Sequence, residues 1–306
     1  MPHDHEHSIP TDLGPAFRWA VGLNTSYVIV EGAAGFLTGS LALLADAAHN
    51  LTDVAGLLIA WGAAVLAKRV GNSSYTFGYG RATILAAMLN AVAILIGVVL
   101  VIWEATQRIG APVDLPGATI MWVALIGIAV NAGSAMLFMG SQKGDLNAKG
   151  AYLHMAADAV VSLAVVVAAV GIMLTGWTWL DPVVAIGVSL VIAVTAWGLL
   201  RDSLRLELDG VPENIDRQAI TNWLRDQPGV SDVHDLHIWA LSTTRTALSV
   251  HLVWEGDEGD ALLRHITHEL EHDFGIVHAT IQLEQVRCDE ATACFSEDTS
   301  SSLQFV

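Results

Sequence analysis

Two short motifs of identical spacing carry the clearest chemistry in this sequence. His49 and Asp53 stand four residues apart in L-L-A-D-A-A-H-N-L-T-D, and His154 and Asp158 stand four apart in A-Y-L-H-M-A-A-D-A-V. On a helix, residues i and i+4 lie on one face, one above the other. Each segment therefore offers one imidazole and one carboxylate to a common point. Facing each other, the two segments supply two nitrogens and two oxygens, a set suited to tetrahedral Zn²⁺ with ligands at about 2.0–2.2 Å. Two ionised aspartates match the charge of the dication and leave the loaded site neutral, as a low-dielectric setting requires. An all-oxygen octahedral site for Mg²⁺ or Ca²⁺ fits poorly. The competing interpretation is two unrelated polar pairs, each satisfied by local hydrogen bonds. The duplication on two apolar segments favours the shared ion.

The elements that must hold these residues are apolar. The chain has 306 residues, 53% hydrophobic and only 15% charged, with a mean hydropathy of +0.52, too apolar for an ordinary soluble protein. A membrane-spanning helix needs about 20 mostly apolar residues. Six stretches qualify: Phe17–Leu37, Leu41–Leu66, Ala82–Trp103, Ile120–Met139, Ala151–Leu174 and Leu180–Leu200. His49 and Asp53 fall in the second, His154 and Asp158 in the fifth. A charge at mid-bilayer costs about 2.5–3.5 kcal/mol on insertion scales, so such residues mark function by default. Asp46, one turn before His49, is either an outer support of the ligands or a helix-to-helix hydrogen-bonding group. For Glu31, Asn24, Asn90 and Asn131 the helix–helix role is favoured. Lys68, Arg69, Arg81, Lys143, Lys149, Arg201 and Arg205 collect on one side and Arg108 alone on the other. That bias places both termini in the cytoplasm of a multi-pass protein of the cell (inner) membrane.

Charge separates a second region. Residues 1–200 hold 7 basic and 11 acidic groups, residues 201–306 hold 7 and 20, and the formal net charge is -17. No basic footprint for nucleic acid is present. Two cysteines, Cys288 and Cys294, exclude a disulfide scaffold, and the polar, His-rich start to Pro10 does not read as a secretory signal. Past Val211 the pattern predicts a helix over Glu213–Asp226, strands Val233–Ala240 and Thr246–Trp254 around a Ser242–Arg245 turn, a helix over Asp260–Phe274 and a strand over His278–Val286. This αββαβ order predicts a small α+β module with helices on one face of a sheet. The boundaries expected are a His-containing tail at 1–15, a six-helix membrane domain at 16–205, the soluble module at 206–290 and a disordered tail at 291–306.

These residues resemble the cation diffusion facilitator family, especially its zinc-transporting branch. S-L-A-L-L-A-D-A-A-H-N-L-T-D, F-G-Y-G-R-A-T-I-L, N-A-K-G-A-Y-L-H-M-A-A-D, V-H-D-L-H-I-W-A-L and H-A-T-I-Q-L-E carry the similarity, which covers nearly the whole chain. The resemblance implies a homodimeric zinc/proton antiporter whose six-helix domain holds the transport site. It further implies a cytoplasmic ferredoxin-like domain that binds zinc and dimerises. His49, Asp53, His154 and Asp158 fall on the transport ligands. His234, His251 and His265 match a cytoplasmic zinc cluster, and His278 with Glu284 resembles a further pair. Gln282 stands where some relatives have histidine. Cys288 and Cys294 are either thiolate ligands or reduced cytosolic thiols. Arg81 matches a basic position that pairs with an acid after the sixth span, here Asp209, as a domain latch. Some relatives place a metal between spans two and three. Here that loop offers Asn72, Tyr75, Tyr79 and Gly80, and no metal is expected. His237, His268 and His272 are as readily surface residues as ligands. His3, His5 and His7 either collect zinc weakly or form a solvated arm.

The function expected is proton-coupled export of Zn²⁺, with Cd²⁺, Co²⁺ or Ni²⁺ as alternatives because imidazole suits them too. Alternating access would carry the ion, with the lipid bilayer as surroundings and protons as counter-substrate. Histidine fits this task because metal ligation requires the deprotonated ring. An intramembrane metalloenzyme is the first rival. Catalytic zinc keeps an open position beside three ligands, and H-E-x-x-H is absent from the chain. A metal sensor that binds without transporting is the second.

Overall fold

The computed structural model describes residues 15–110, 113–138, 146–256 and 258–287. Both tails lie outside the described residues, with His3, His5, His7, Cys288 and Cys294, and so do the side chains of Asp53 and His154. The elements run α1 (Pro15–Thr38), α2 (Leu41–Ala67), α3 (Ala82–Ile109), α4 (Gly117–Phe138), α5 (Leu146–Thr175), α6 (Leu180–Glu207), α7 (Arg217–Arg225), β1 (Val230–Ala240), β2 (Thr246–Trp254), α8 (Gly259–Phe274) and β3 (Ile276–Glu284). They fall into two compact units, residues up to 58 with 90–198, and 59–89 with residues from 199 onward.

The six long helices coincide with the six apolar stretches. Among the described residues, four are long and apolar enough to cross a membrane: Ala82–Ile109, Gly117–Met136, Met155–Thr175 and Leu180–Glu207. In the first unit α2 packs two ways. Ala42 and Leu43 join Ile120 and Ala124 of α4 and Val165 and Ala169 of α5. Leu41 and Ala45 join Val98 and Ala105 of α3 and Ala185 and Val188 of α6. The repeated alanines let backbones approach closely, which is how helices associate where lipid removes the hydrophobic drive. At Gly127 a Cβ would overlap the Tyr27 hydroxyl, so glycine is what lets α4 meet α1 here. Outward, Leu89, Leu100, Trp103, Trp122, Leu174 and Trp197 are exposed, whereas Glu31, Asp46, Asn131, Asp158 and Ser162 are buried. Apolar groups outside and polar groups inside invert the pattern of a water-soluble core.

The start of α2 is fixed tightly. Gly39 adopts φ +73 and ends α1, a left-handed stop that costs glycine least. Ser40 then caps α2, its Oγ accepting from the Leu43 amide at 3.2 Å. Asp181 of α6 accepts from the Leu41 amide at 2.7 Å and from the Ala42 amide at 3.3 Å, and from the Ser40 hydroxyl. A carboxylate at a helix N-terminus satisfies free amides and complements the dipole.

In the second unit the strands form one sheet in the order β1-β2-β3. β1 and β2 are antiparallel, and β2 and β3 are parallel. Ile220 and Leu224 of α7 and Ile266 and Leu270 of α8 share one core with Val233, Leu236, Leu248, Val250 and Leu252. Both helices therefore cover the same sheet face. The expected order of elements holds, but several boundaries differ. The first helix begins at Arg217, because Asp216 caps it by accepting from the Gln218 and Ala219 amides. Glu213, expected inside that helix, instead lies 3.3 Å from Arg201 and 3.6 Å from Arg205. β1 starts three residues before the expected Val233, and β3 spans Ile276–Glu284 rather than His278–Val286.

Candidate functional site

In the first unit, α2 and α5 bring two of the four motif residues together. His49 Nε2 lies 3.3 Å from Asp158 Oδ1, with their side chains 18% and 3% exposed. Asp53 belongs to α2 and His154 to α5, one helical turn from His49 and Asp158 respectively, and both side chains lie outside the described residues. The observed contact joins an imidazole of one motif to the carboxylate of the other, as a shared ion requires.

A polar network continues one turn along these helices. Ser162 Oγ donates to Asp46 Oδ2 at 2.9 Å. Asn50 Nδ2 reaches Asp46 Oδ1 at 3.4 Å and Glu31 Oε2 at 3.3 Å. Tyr27 Oη donates to Glu31 Oε1 at 2.7 Å and lies 3.2 Å from the Val123 carbonyl. Asn24 Nδ2 donates to Ser134 Oγ at 3.3 Å, so the helix–helix role expected for it holds. Tyr27, Asn50 and Ser162 escaped sequence reasoning. Their signal was the same four-residue spacing: Tyr27 to Glu31, Asp46 to Asn50, and Asp158 to Ser162.

The second unit carries another group, on the sheet face opposite the helices. His234 pairs with His251 in register, and His251 with Gln282. Glu284 bridges the two rings, with Oε2 3.4 Å from His234 Nε2 and Oε1 3.0 Å from His251 Nδ1. Donor atoms of His234, His251 and Glu284 all lie within 4.8 Å of one another. Gln282 donates to Glu284 Oε1 at 2.8 Å, so it orients the carboxylate. Asp232 Oδ2 is 3.1 Å from His234 Nδ1, and Asp235 Oδ2 is 3.6 Å from His251 Nε2. These two acids were not anticipated. A bulge explains Asp235: the β1 register shifts between His234 and His237, and Asp235 takes φ 52. One extra residue bends the strand and re-aims side chains.

Other expected ligands are elsewhere. His265 sits on α8 beside Trp223, ring centroids 6.4 Å apart, in the helix layer across the sheet from the group. His278 packs edge-on against Phe77 at 5.3 Å, six residues before Glu284 on β3. Alternation along a strand puts His278 and Glu284 on one face, but six residues span about 20 Å, too far for one ion. His237 pairs with Asp235 at 3.0 Å. His272 is exposed, and its Nδ1 lies 2.7 Å from Asp273 Oδ1, a hydrogen bond that raises the imidazole above its ordinary 6.5.

Arg81 and Asp209 do form an ion pair, both side chains about half exposed at 44% and 57%. The segment around it is docked by neutral contacts as well. The Thr243 amide donates to Thr83 Oγ1 at 3.0 Å, and a Cβ on Gly80 would overlap the Leu241 carbonyl. Asn72 accepts from the Ser74 and Tyr75 amides at 2.9 Å and donates to the Tyr79 hydroxyl at 3.0 Å. Glycine at 80 thus answers to packing.

Apolar helices that turn acids and the His49 imidazole inward, followed in the chain by a water-exposed α/β module, describe an integral membrane protein with a polar interior site. Residues 18–206 match the cation efflux transmembrane domain, and residues 212–286 match the cytoplasmic domain of cation efflux proteins. The chain belongs to the cation diffusion facilitator family of cation transporters. It is 39% identical over 266 residues to the "Cadmium, cobalt and zinc/H(+)-K(+) antiporter" of Bacillus subtilis, covering 85% of each chain. It is 37% identical over 307 residues to the "Zinc transporter ZitB" of Escherichia coli, covering 98% of each. Among solved structures, the metal-bound C-terminal domain of the CzcD transporter from Cupriavidus metallidurans is 35% identical, covering 23% of this chain and 99% of that one, with a TM-score of 0.22.

Proposed function

We propose that this protein exports Zn²⁺ from the cytoplasm in exchange for protons, with His49, Asp53, His154 and Asp158 as the transport ligands. The observation that carries this reading is the 3.3 Å contact between His49 Nε2 of α2 and Asp158 Oδ1 of α5 inside the helical unit. The names of the Bacillus subtilis and Escherichia coli relatives support the substrate class and the antiport. Cd²⁺ and Co²⁺ fall within the same chemistry, and Ni²⁺ is accepted by the same donors.

In this reading α1–α6 are six membrane spans within residues 16–205, both termini face the cytoplasm of the inner membrane, and residues 206–290 form the cytoplasmic, ferredoxin-like module. Zn²⁺ reaches the four ligands as His49 or His154 loses a proton. The helices then rock so that the site closes inward and opens outward, where protons compete for the imidazoles and release the ion. Exchange for one proton exports one net charge, which costs about 2.3 kcal/mol per 100 mV, inside negative, whereas two protons make the step electroneutral.

His234, His251 and Glu284 offer two imidazoles and a carboxylate, the donor types zinc takes, already converged within 4.8 Å. They would hold a structural or regulatory zinc in the cytoplasmic module, where His265, His278, Cys288 and Cys294 are not needed as members of the same group. Dimerisation through this module is supported by its match to the dimer domain of cation efflux proteins.

The test is zinc uptake into proteoliposomes driven by a pH gradient, comparing wild type with His49→Ala at equal incorporation. Uptake by wild type and its loss in the variant are expected. Equal uptake by both overturns the site. Zinc binding without flux in wild type makes the protein a sensor, and hydrolysis of a membrane substrate that depends on His49 makes it an enzyme.

A further inference from the structure

We propose that Glu31 and Asp46 form a proton-binding pair, distinct from the metal ligands, that carries a counter-proton of the exchange. This rests on the antiport reading and deepens it. Both side chains are fully buried, on α1 and α2, and they converge on one amide, Asn50 Nδ2, which lies 3.3 Å from Glu31 Oε2 and 3.4 Å from Asp46 Oδ1. Two buried carboxyl groups held this close by one amide cannot both ionise cheaply, because like charges repel strongly away from water, so the pair holds one proton. Tyr27 and Ser162 each donate to one further oxygen of the pair, Glu31 Oε1 and Asp46 Oδ2. Among the described residues, neither acid has a Lys, Arg or His within ion-pair distance. Among the described residues, the titratable groups around them are Tyr27 on α1, His49 on α2 and Asp158 on α5. On α4 the Val123 carbonyl lies 3.2 Å from Tyr27 Oη, and α4 carries no Asp, Glu, Lys, Arg or His.

A purely structural cross-link would not need two acids, since an amide at either position makes the same bonds. A second observation comes from α4. Asn131 is fully buried, and neither of its side-chain polar atoms has a hydrogen-bond partner among the described residues. Gly127, Asn131 and Ser134 share the spacing of one helix face, and Gly127 and Ser134 both meet α1, at Tyr27 and Asn24. Asn131 therefore lies on the face that meets α1. Buried amides without protein partners are normally satisfied by water, and a water there places solvent beside the Tyr27–Glu31 end of the network.

The coupling to metal has a definite sign. Asp46 precedes His49 by three residues and Ser162 follows Asp158 by four, so the pair stands roughly 4.5–6 Å along the helix axes from the His49–Asp158 contact. In the empty site the repulsion between two adjacent buried carboxylates keeps one proton on the pair. A dication at the His49–Asp158 contact favours negative charge nearby, and the pair –COOH···⁻OOC– releases one H⁺ and becomes two carboxylates. Metal release reverses the step. With one proton from an imidazole, the exchange reaches two protons per zinc.

The test follows protons released on zinc loading of the full-length protein in weakly buffered detergent with a pH dye, and the carboxylic-acid carbonyl band in infrared difference spectra. Glu31→Gln should release one proton fewer per zinc bound than wild type, and Asp46→Asn should do the same. Wild type should lose a carboxylic-acid band on zinc loading that both variants lack. Unchanged proton release in the variants overturns the proposal. So does a wild-type spectrum without that band, a readout that needs no variant to fold. Release of potassium in place of the proton also overturns it, by making the pair a site for a larger monovalent cation. Wild-type zinc uptake that does not respond to the pH gradient would instead remove the antiport reading, so the two failures are distinct.

Discussion

Replacing Asp158 by asparagine keeps the side-chain volume and removes one negative charge at the centre of the helical unit. Asp158 is 2% exposed and lies 3.3 Å from His49, so little solvent is present to offset the loss. With two aspartates the loaded site is neutral, and with one it carries a net positive charge in a low-dielectric interior. Removing one partner of a buried charge pair costs about 3–5 kcal/mol. At 1.4 kcal/mol per tenfold, zinc affinity should fall by about 150- to 4,000-fold. The assay is chelator-competed zinc titration of the purified protein carrying His251→Ala throughout, so that the cytoplasmic group is weakened and the intramembrane site dominates. Asp202→Asn is the control: Asp202 pairs with Arg201 at 3.1 Å but is 44% exposed. Such pairs contribute about 0–1 kcal/mol, so affinity should change by about fivefold or less. A loss below tenfold in Asp158→Asn would refute the reasoning, because a carboxylate that buried cannot ligate a dication and be dispensable.

His251→Ala alone removes one of the three converged donors of the cytoplasmic group and should lower the zinc bound per chain or weaken the dimer while some transport persists; retention of both takes His251 out of the group. Gly80→Ala forces a Cβ into the Leu241 carbonyl and should destabilise the protein by about 1–3 kcal/mol, read as a lower melting midpoint by tryptophan fluorescence, and an unchanged midpoint would show that the loop does not dock there. His272 should titrate above 6.5 because it hydrogen-bonds Asp273, and Asp273→Asn should bring the midpoint down by NMR. Since its folded value is raised, the stabilisation from this pair is present in acid and disappears as pH rises through that midpoint. A midpoint indifferent to Asp273→Asn would show that the pair does not persist in solution.

Much of this architecture is written in local patterns. Runs of about 20 apolar residues cannot remain in water, so six long helices followed from hydropathy. The soluble module followed equally directly, because its strands alternate and Leu224, Leu248, Leu252 and Leu270 recur at the intervals of half-buried elements. The twin H-x-x-x-D motifs were legible because the helical repeat alone puts their members on one face. Capping was harder to place. Asp216, not Glu213, opens α7, since a cap is decided by which side chain turns back onto free amides.

What tertiary structure decided is which faces meet. That α2 and α5 bring His49 to Asp158 depends on alanine-lined packing among α2, α4 and α5, and no spacing along one segment encodes it. Glu31 and Asp46 look unrelated in the chain, yet the approach of α1 to α2 makes them partners. In the second unit, His234, His251 and Glu284 converge because antiparallel and parallel registers align three separate strands. A bulge adds Asp235 to them. Residue type and period set each element's inward face through short-range geometry. The identity of the facing partner is a property of long-range packing, and the chemistry of both candidate sites exists only where those faces touch.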